Sequence, residues 1–328
     1  MMNMWKAVVV LTITGCAARS GAPLTPALQE TGADAVYYIY VGAESADLLH
    51  RIRFGPTGMD LDQTTPVGEM AVETEGPHGL NVSPDGNHLY MTTAHGVPDG
   101  KLWKFHAGPD TLVAPPILLG NFPATLDLTP DGLYAFIVNF NLHGEHVPST
   151  VSVVYTPDLV EVDQIPTCTM PHGLRMAKDG LFVYSNCMMD DQLVEIDTRT
   201  FEVSRRFSVT TGSETALLDY QVGEVVTGAN GITRPLEPFS DRKAMESTCS
   251  PTWAQPTPDG RSIFVACNKS NEILVVDRAS WTLERRISVP GGPYNLAISE
   301  DGKILIASLK SAGKVQFFEA STGKSLGL

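Results

Sequence analysis

The chain has 328 residues and carries 23 Lys and Arg against 37 Asp and Glu, a formal net charge of −14 at pH 7. That balance argues against a nucleic-acid backbone as partner and favours solubility and the attraction of cations. No Gly-rich phosphate loop, dinucleotide fingerprint or Gly-x-Ser-x-Gly nucleophile elbow is found, so no nucleotide cofactor and no Ser-His-Asp hydrolase is expected.

Residues 1–16 read as a processing signal. Lys6 precedes an apolar run over 7–13 and then Thr14-Gly15-Cys16, which looks like a bacterial lipoprotein signal with Cys16 as the lipidated residue. The run is too short to span a bilayer. Residues 17–33, rich in Ala, Gly, Pro and Thr, form a tether. Ala17 stands where an aspartate would favour inner-membrane retention, which points to an outer-membrane lipoprotein on the periplasmic side of the envelope, in membrane contact through its lipid.

Residues 34–328 form the folded part. A first unit over 36–70 offers three strands, near 36–41, 48–54 and 59–61, with no inner strand before them. Pro77-His78-Gly79-Leu80 follows, and Asp85-Gly86 begins seven residues after the histidine. The same offset separates Ala124 from Asp131-Gly132, His172 from Asp179-Gly180, Thr252 from Asp259-Gly260 and Tyr294 from Asp301-Gly302, each after a proline. A constant offset of this kind is an internal repeat. Within each unit a proline-led alternating run enters an Asp-Gly turn, and a second run such as Leu181-Phe182-Val183-Tyr184 leaves it. A third run such as Glu272-Ile273-Leu274-Val275-Val276-Asp277 and a fourth such as Leu283-Glu284-Arg285-Arg286-Ile287 complete the unit. Four short antiparallel strands per unit are the signature of a β-propeller blade, so an all-β propeller is expected.

The chain resembles the YVTN-type β-propeller repeat family through Asn81-Val82-Ser83-Pro84-Asp85-Gly86 and Val194-Glu195-Ile196-Asp197-Thr198. The resemblance covers most of 36–328 and implies fold far more than function, because propellers host binding modules, lactonases, lyases and metal or haem enzymes alike. Six blades are detectable where relatives of the family usually have seven, so the ring is expected to be truncated or open at the C-terminus, or to close with six. The turn glycines Gly180 and Gly260 are unusually far apart, and residues 211–248 between them contain no Pro-to-Asp-Gly frame. An insertion is preferred there over a degenerate blade.

Export permits disulfides. Cys168 and Cys187 flank the Asp179-Gly180 turn, and Cys249 and Cys267 flank Asp259-Gly260, each pair within two residues of facing across its hairpin. Each is expected to staple the two inner strands of one blade, with free thiols as the alternative and Cys187 as a metal ligand last.

The repeat frame makes the histidines comparable. Ala124, Thr252 and Tyr294 occupy the position of His78 and His172, so the fold does not demand imidazole there. Both share strand parity with Leu80 and Leu174, and packing between blades is the alternative reading. Loops joining second and third strands emerge at the same rim. They bring His95, then His143 and His146, then Met188, Asp190 and Asp191 towards that rim. Imidazoles with Met, Cys and carboxylates suit copper or zinc, and the candidate ligands are His78, His95, His143, His146 and His172, with Cys187, Met188 and Asp190 secondary. Haem ranks behind; no Cys-x-x-Cys-His attachment exists, so any haem would be non-covalent. The expected function is a lipid-anchored binding or scaffold module with a metal, small-molecule or protein partner at this rim. The alternative is a periplasmic enzyme, a metal- or haem-dependent oxidoreductase or one similar to lactonases and lyases, with Glu145, Asp190 and Asp191 as candidate bases.

Overall fold

The computed structural model describes residues 35–70, 72–95, 100–218, 225–227, 233–235 and 247–328. The expected signal and tether, 1–33, lie outside the described residues. Six antiparallel sheets stand as blades around a central channel, an all-β propeller with no helix among the described residues.

Blade 1 contains Tyr37–Ala43, Leu48–Gly55 and Gly58–Pro66. Blade 2 runs Pro77–Val82, His88–Thr93 and Lys101–His106, with short edge segments Thr111–Leu112 and Ile117–Leu118. Blade 3 is Pro123–Leu128, Tyr134–Asn139, Pro148–Tyr155 and Val160–Thr169. Blade 4 is Pro171–Met176, Phe182–Cys187, Gln192–Asp197 and Glu202–Ser208, edged by Thr215–Ala216. Blade 5 is Pro251–Pro256, Ser262–Cys267, Glu272–Asp277 and Thr282–Ser288. Blade 6 is Pro293–Ile298, Ile304–Leu309, Lys314–Glu319 and Ser325–Gly327. The inner strands of blades 4 and 5 pack directly on each other. Within 211–248, Val225–Thr227 and Thr233–Pro235 pair as a separate two-stranded ladder.

The repeated turn has a plain physical basis. Gly86, Gly132, Gly180, Gly260 and Gly302 all have φ between 71° and 74°, a region that costs glycine little and other residues much. At four of these turns a Ser or Thr hydroxyl donates to the turn aspartate: Ser83 to Asp85, Thr129 to Asp131, Thr257 to Asp259 and Ser299 to Asp301. The apolar core is divided into five clusters, one in each seam from blades 1–2 to blades 5–6. No such cluster joins blade 6 to blade 1 among the described residues, and Ser325–Gly327 finishes blade 6 and does not complete blade 1. Tyr37–Ala43 therefore stays at the inner edge of a three-stranded blade.

Both disulfides form, Cys168 with Cys187 and Cys249 with Cys267. The expected placement within one blade needs correction for the first pair. Cys168 belongs to the outer strand of blade 3, opposite Ser149, while Cys187 ends the second strand of blade 4. The blade 3 outer strand continues to Thr169 before the chain turns inward, so the bridge ties two blades together. Cys249 lies two residues before the blade 5 inner strand and bridges to that blade's own second strand.

Candidate functional site

The entry to each inner strand positions the site. The residue before the proline has positive φ in all five frames: Gly76, Phe122, Met170, Ser250 and Gly292. Each inner strand then slips register against its neighbour within the next residues, between Pro77 and Leu80, Pro171 and Leu174, Pro251 and Trp253, and Pro293 and Leu296. Blade 3 does the same between Pro123 and Leu126, which face Asn139 and Ile137. A bulge of this kind re-aims side chains, and here it turns the residue after proline towards the next blade.

His78 and His172 use that geometry identically. Nδ1 of His78 lies 3.1 Å from Ala124 O, and Nδ1 of His172 lies 3.0 Å from Thr252 O. A carbonyl only accepts, so each Nδ1 carries the proton and each Nε2 is left as acceptor. The hydroxyls of Thr125 and Thr252 tie the intervening pairs, blades 3 and 4 and blades 5 and 6, by donating to His172 O and Tyr294 O. Gly79 and Gly173 are required by this approach, since a Cβ on either would overlap Ala124 O or Thr252 O of the adjoining strand. Burial holds both imidazoles neutral: the pKa of His78 is pushed down, and that of His172 falls to about 3 with His78 adding a smaller repulsion.

The two rings then diverge in role. His172 is 1% exposed, packs edge-on against Phe140 and Tyr294, and its Nε2 accepts the Tyr294 hydroxyl at 2.8 Å. Burial pushes the Tyr294 phenol up to about 12, aided by the Glu44 charge, so it stays a donor. With both nitrogens engaged, His172 is a clamp between blades 4, 5 and 6. His78 keeps its Nε2 free of a close partner, 4.0 Å from Glu44 Oε1.

Around Glu44 the mouth assembles. His95 Nε2 donates to Glu44 Oε1 at 3.0 Å, and His95 Nδ1 lies 3.1 Å from His143 Nε2. Phe122 sets its ring edge-on against His78, His95 and His143 at 4.9–5.5 Å and fixes their spacing. Asn141 shapes the loop that carries His143, donating through Nδ2 to Glu145 O. Four of the five candidate histidines thus stand in two close pairs, His95 with His143 and His78 with His172. Among the described residues, no three His, Cys, Asp or Glu side chains are arranged to hold a metal ion as they stand.

The remaining candidates are placed elsewhere or occupied. His146 is exposed to solvent on the loop. Cys187 is bound in a disulfide and offers no thiolate, which removes it as a ligand. Met188 packs against the core cluster between blades 3 and 4. Asp190 accepts the backbone N–H of Thr169 at 2.8 Å, and Asp191 accepts N–H groups of Thr248, Cys249 and Ser250. Asp47 does likewise for Glu75 and Gly76, so Asp47 and Asp191 are clips that seat the following blade. Glu44 and Tyr294 were not singled out from the sequence. Glu44 sits in the loop between the second-strand and third-strand equivalents of blade 1, at the rim where the other loops deliver His95 and His143, and that rule extended to blade 1 finds it.

No protein-family model matches the chain, and no curated protein matches it. Among solved structures, the chain is similar to a functionally unknown protein from Desulfotomaculum acetoxidans at 13% identity and a TM-score of 0.60, covering 88% of this chain and 80% of that one. It also aligns with hydrazine synthase from Kuenenia stuttgartiensis at 15% identity and a TM-score of 0.48, covering 83% of this chain and 92% of that one. At the identity of the first, the likeness is one of fold.

Proposed function

We propose that the protein is a lipid-anchored binding module of the cell envelope whose propeller mouth captures a copper or zinc ion through Glu44, His78 and His95. One observation carries this reading: a single carboxylate oxygen, Glu44 Oε1, lies 3.0 Å from His95 Nε2 and 4.0 Å from His78 Nε2. Ligands about 2 Å from one ion stand roughly 3–3.5 Å from each other, so Glu44 already stands at ligand spacing from His95, and a swing of its side chain shortens the gap to His78. Each imidazole is also oriented through its other nitrogen, His78 by Ala124 O and His95 by His143, the arrangement that presents Nε2 to a metal. Metal ligation at Nε2 of His95 requires its proton to move to Nδ1, towards His143. The two disulfides support an oxidising compartment, in keeping with export through the signal that ends at Cys16.

Equilibrium dialysis against copper or zinc, with metal analysis of the protein, tests the proposal. One tightly bound ion per chain is expected in the wild type, with at least a tenfold weaker affinity in Glu44→Gln and in His95→Ala. An empty wild type, or full retention in both variants, contradicts it.

A further inference from the structure

Beyond the mouth, the channel narrows to a cavity of about 10 Å³, room for one water-sized sphere, lined in part by His78, Thr125, Arg175, Trp253 and Asn295. These side chains come from the inner strands of blades 2 to 6, so the point is where five blades meet. We infer that this cavity is a binding site for one small monovalent anion of halide size, held by Arg175, Trp253 and Asn295.

The cavity is lined by an excess of donors. Trp253 and Asn295 are 3% and 5% exposed, and Trp253 Nε1 and Asn295 Nδ2 are buried with no hydrogen-bond partner. An N–H left unpaired inside a protein costs on the order of 1–3 kcal/mol. Arg175 stacks on the Trp253 ring at 4.5 Å and donates to Leu174 O at 3.0 Å. It makes no ion pair among the described residues. The carboxylate that acts on its charge, Asp127, is committed: Oδ1 accepts from Asn81 Nδ2 and Leu128 N, and Oδ2 from Met176 N. The Thr125 hydroxyl already donates to His172 O.

A water molecule satisfies the indole and amide N–H groups but leaves the half-buried Arg175 guanidinium with only the Asp127 carboxylate, itself shared among three hydrogen-bond donors, to offset its desolvation. A guanidinium does not lose its proton under these conditions, and the loss of solvent around Arg175 works against its charge more strongly than Asp127 supports it. A monovalent anion meets all three donors with charge-assisted hydrogen bonds. The small cavity favours a single-atom anion over phosphate or sulfate.

The site does not depend on metal capture at the mouth, and its test is separate. Thermal unfolding of the full chain is followed in sodium bromide, sodium chloride and sodium gluconate at one ionic strength, together with anomalous diffraction from crystals grown in bromide. The inference expects a saturable rise in melting temperature with either halide but not gluconate, absent in Arg175→Gln and reduced in Asn295→Ala. It also expects one bromide within hydrogen-bonding reach of Arg175, Trp253 Nε1 and Asn295 Nδ2. Should the variants fail to fold, the wild-type bromide map decides. Equal melting temperatures in all three salts, or a cavity holding only water in the bromide crystal, overturns the inference.

Discussion

His172 shows what one side chain does when both of its nitrogens are spoken for. It donates to Thr252 O and accepts from Tyr294, so it ties blade 4 to blades 5 and 6 only while neutral. Its pKa in the fold, about 3, lies below the ordinary 6.5. The unfolded chain therefore binds this proton more readily, and the clamp's contribution is complete above pH 6.5 and is lost as pH falls towards 3. Denaturant unfolding across that window is expected to show stability falling with acid in the wild type and a flatter dependence in His172→Ala. The variant is also expected to be less stable by about 2 kcal/mol at pH 7, from the lost contacts and the orphaned Tyr294 hydroxyl. An identical pH slope in both proteins contradicts the clamp. In the sequence, metal ligation is the preferred reading of His78 and His172 and packing its near alternative, because the frame places both rings without showing where the Nε2 atoms end. Tyr294, one frame position shared with His172 two blades later, decides the question for His172 and leaves His78 open.

Inner-strand entries repeat a device that is only half visible in the chain. The Asp-Gly turns and strand runs are legible, because each depends on residues adjacent in sequence: Gly180 takes φ 72° as its turn demands, and Gln192–Asp197 carries the short apolar run of a strand buried on both faces. The positive φ before each proline is not legible, since Phe122, Met170 and Ser250 adopt it as readily as Gly76. Nor is the route of the Cys168–Cys187 bridge, which depends on how far the blade 3 outer strand runs before it turns inward. Gly79 and Gly173 follow from the entry geometry, because the next blade's strand approaches within the space of a methyl group. Gly173→Ala is expected to destabilise by about 1–3 kcal/mol through overpacking, measured by denaturant unfolding, whereas an unchanged midpoint would mean that the blades separate freely at this point.

Across the whole molecule the seams are unequal. Five are filled by apolar clusters, while the face of blade 6 turned away from blade 5 leaves Ile304, Val315 and Phe317 exposed at 39, 36 and 41%. Adjacent residues on that strand thus differ sharply: Phe318 is 1% exposed within the blade 5–6 seam. Phe318→Ser is expected to cost about 3–5 kcal/mol and Phe317→Ser about 0.5 kcal/mol or less; comparable losses would show that blade 1 closes on blade 6 in solution. Five blades are countable from the Asp-Gly turns and the first from its strand runs over 36–70, but this unfilled seam is not legible, because it depends on which faces meet and not on which residues alternate. The same assembly brings Glu44 of blade 1 to the histidines of blade 2, and on that convergence the account stands. Imidazole ¹⁵N spectra of the labelled protein, recorded at neutral pH with and without zinc, test it most directly. Nδ1-protonated neutral rings are expected for His78 and His172, with zinc shifting Nε2 of His78 and His95 and leaving His172 unmoved. Zinc that shifts neither His78 nor His95, or that shifts His172 first, would contradict it.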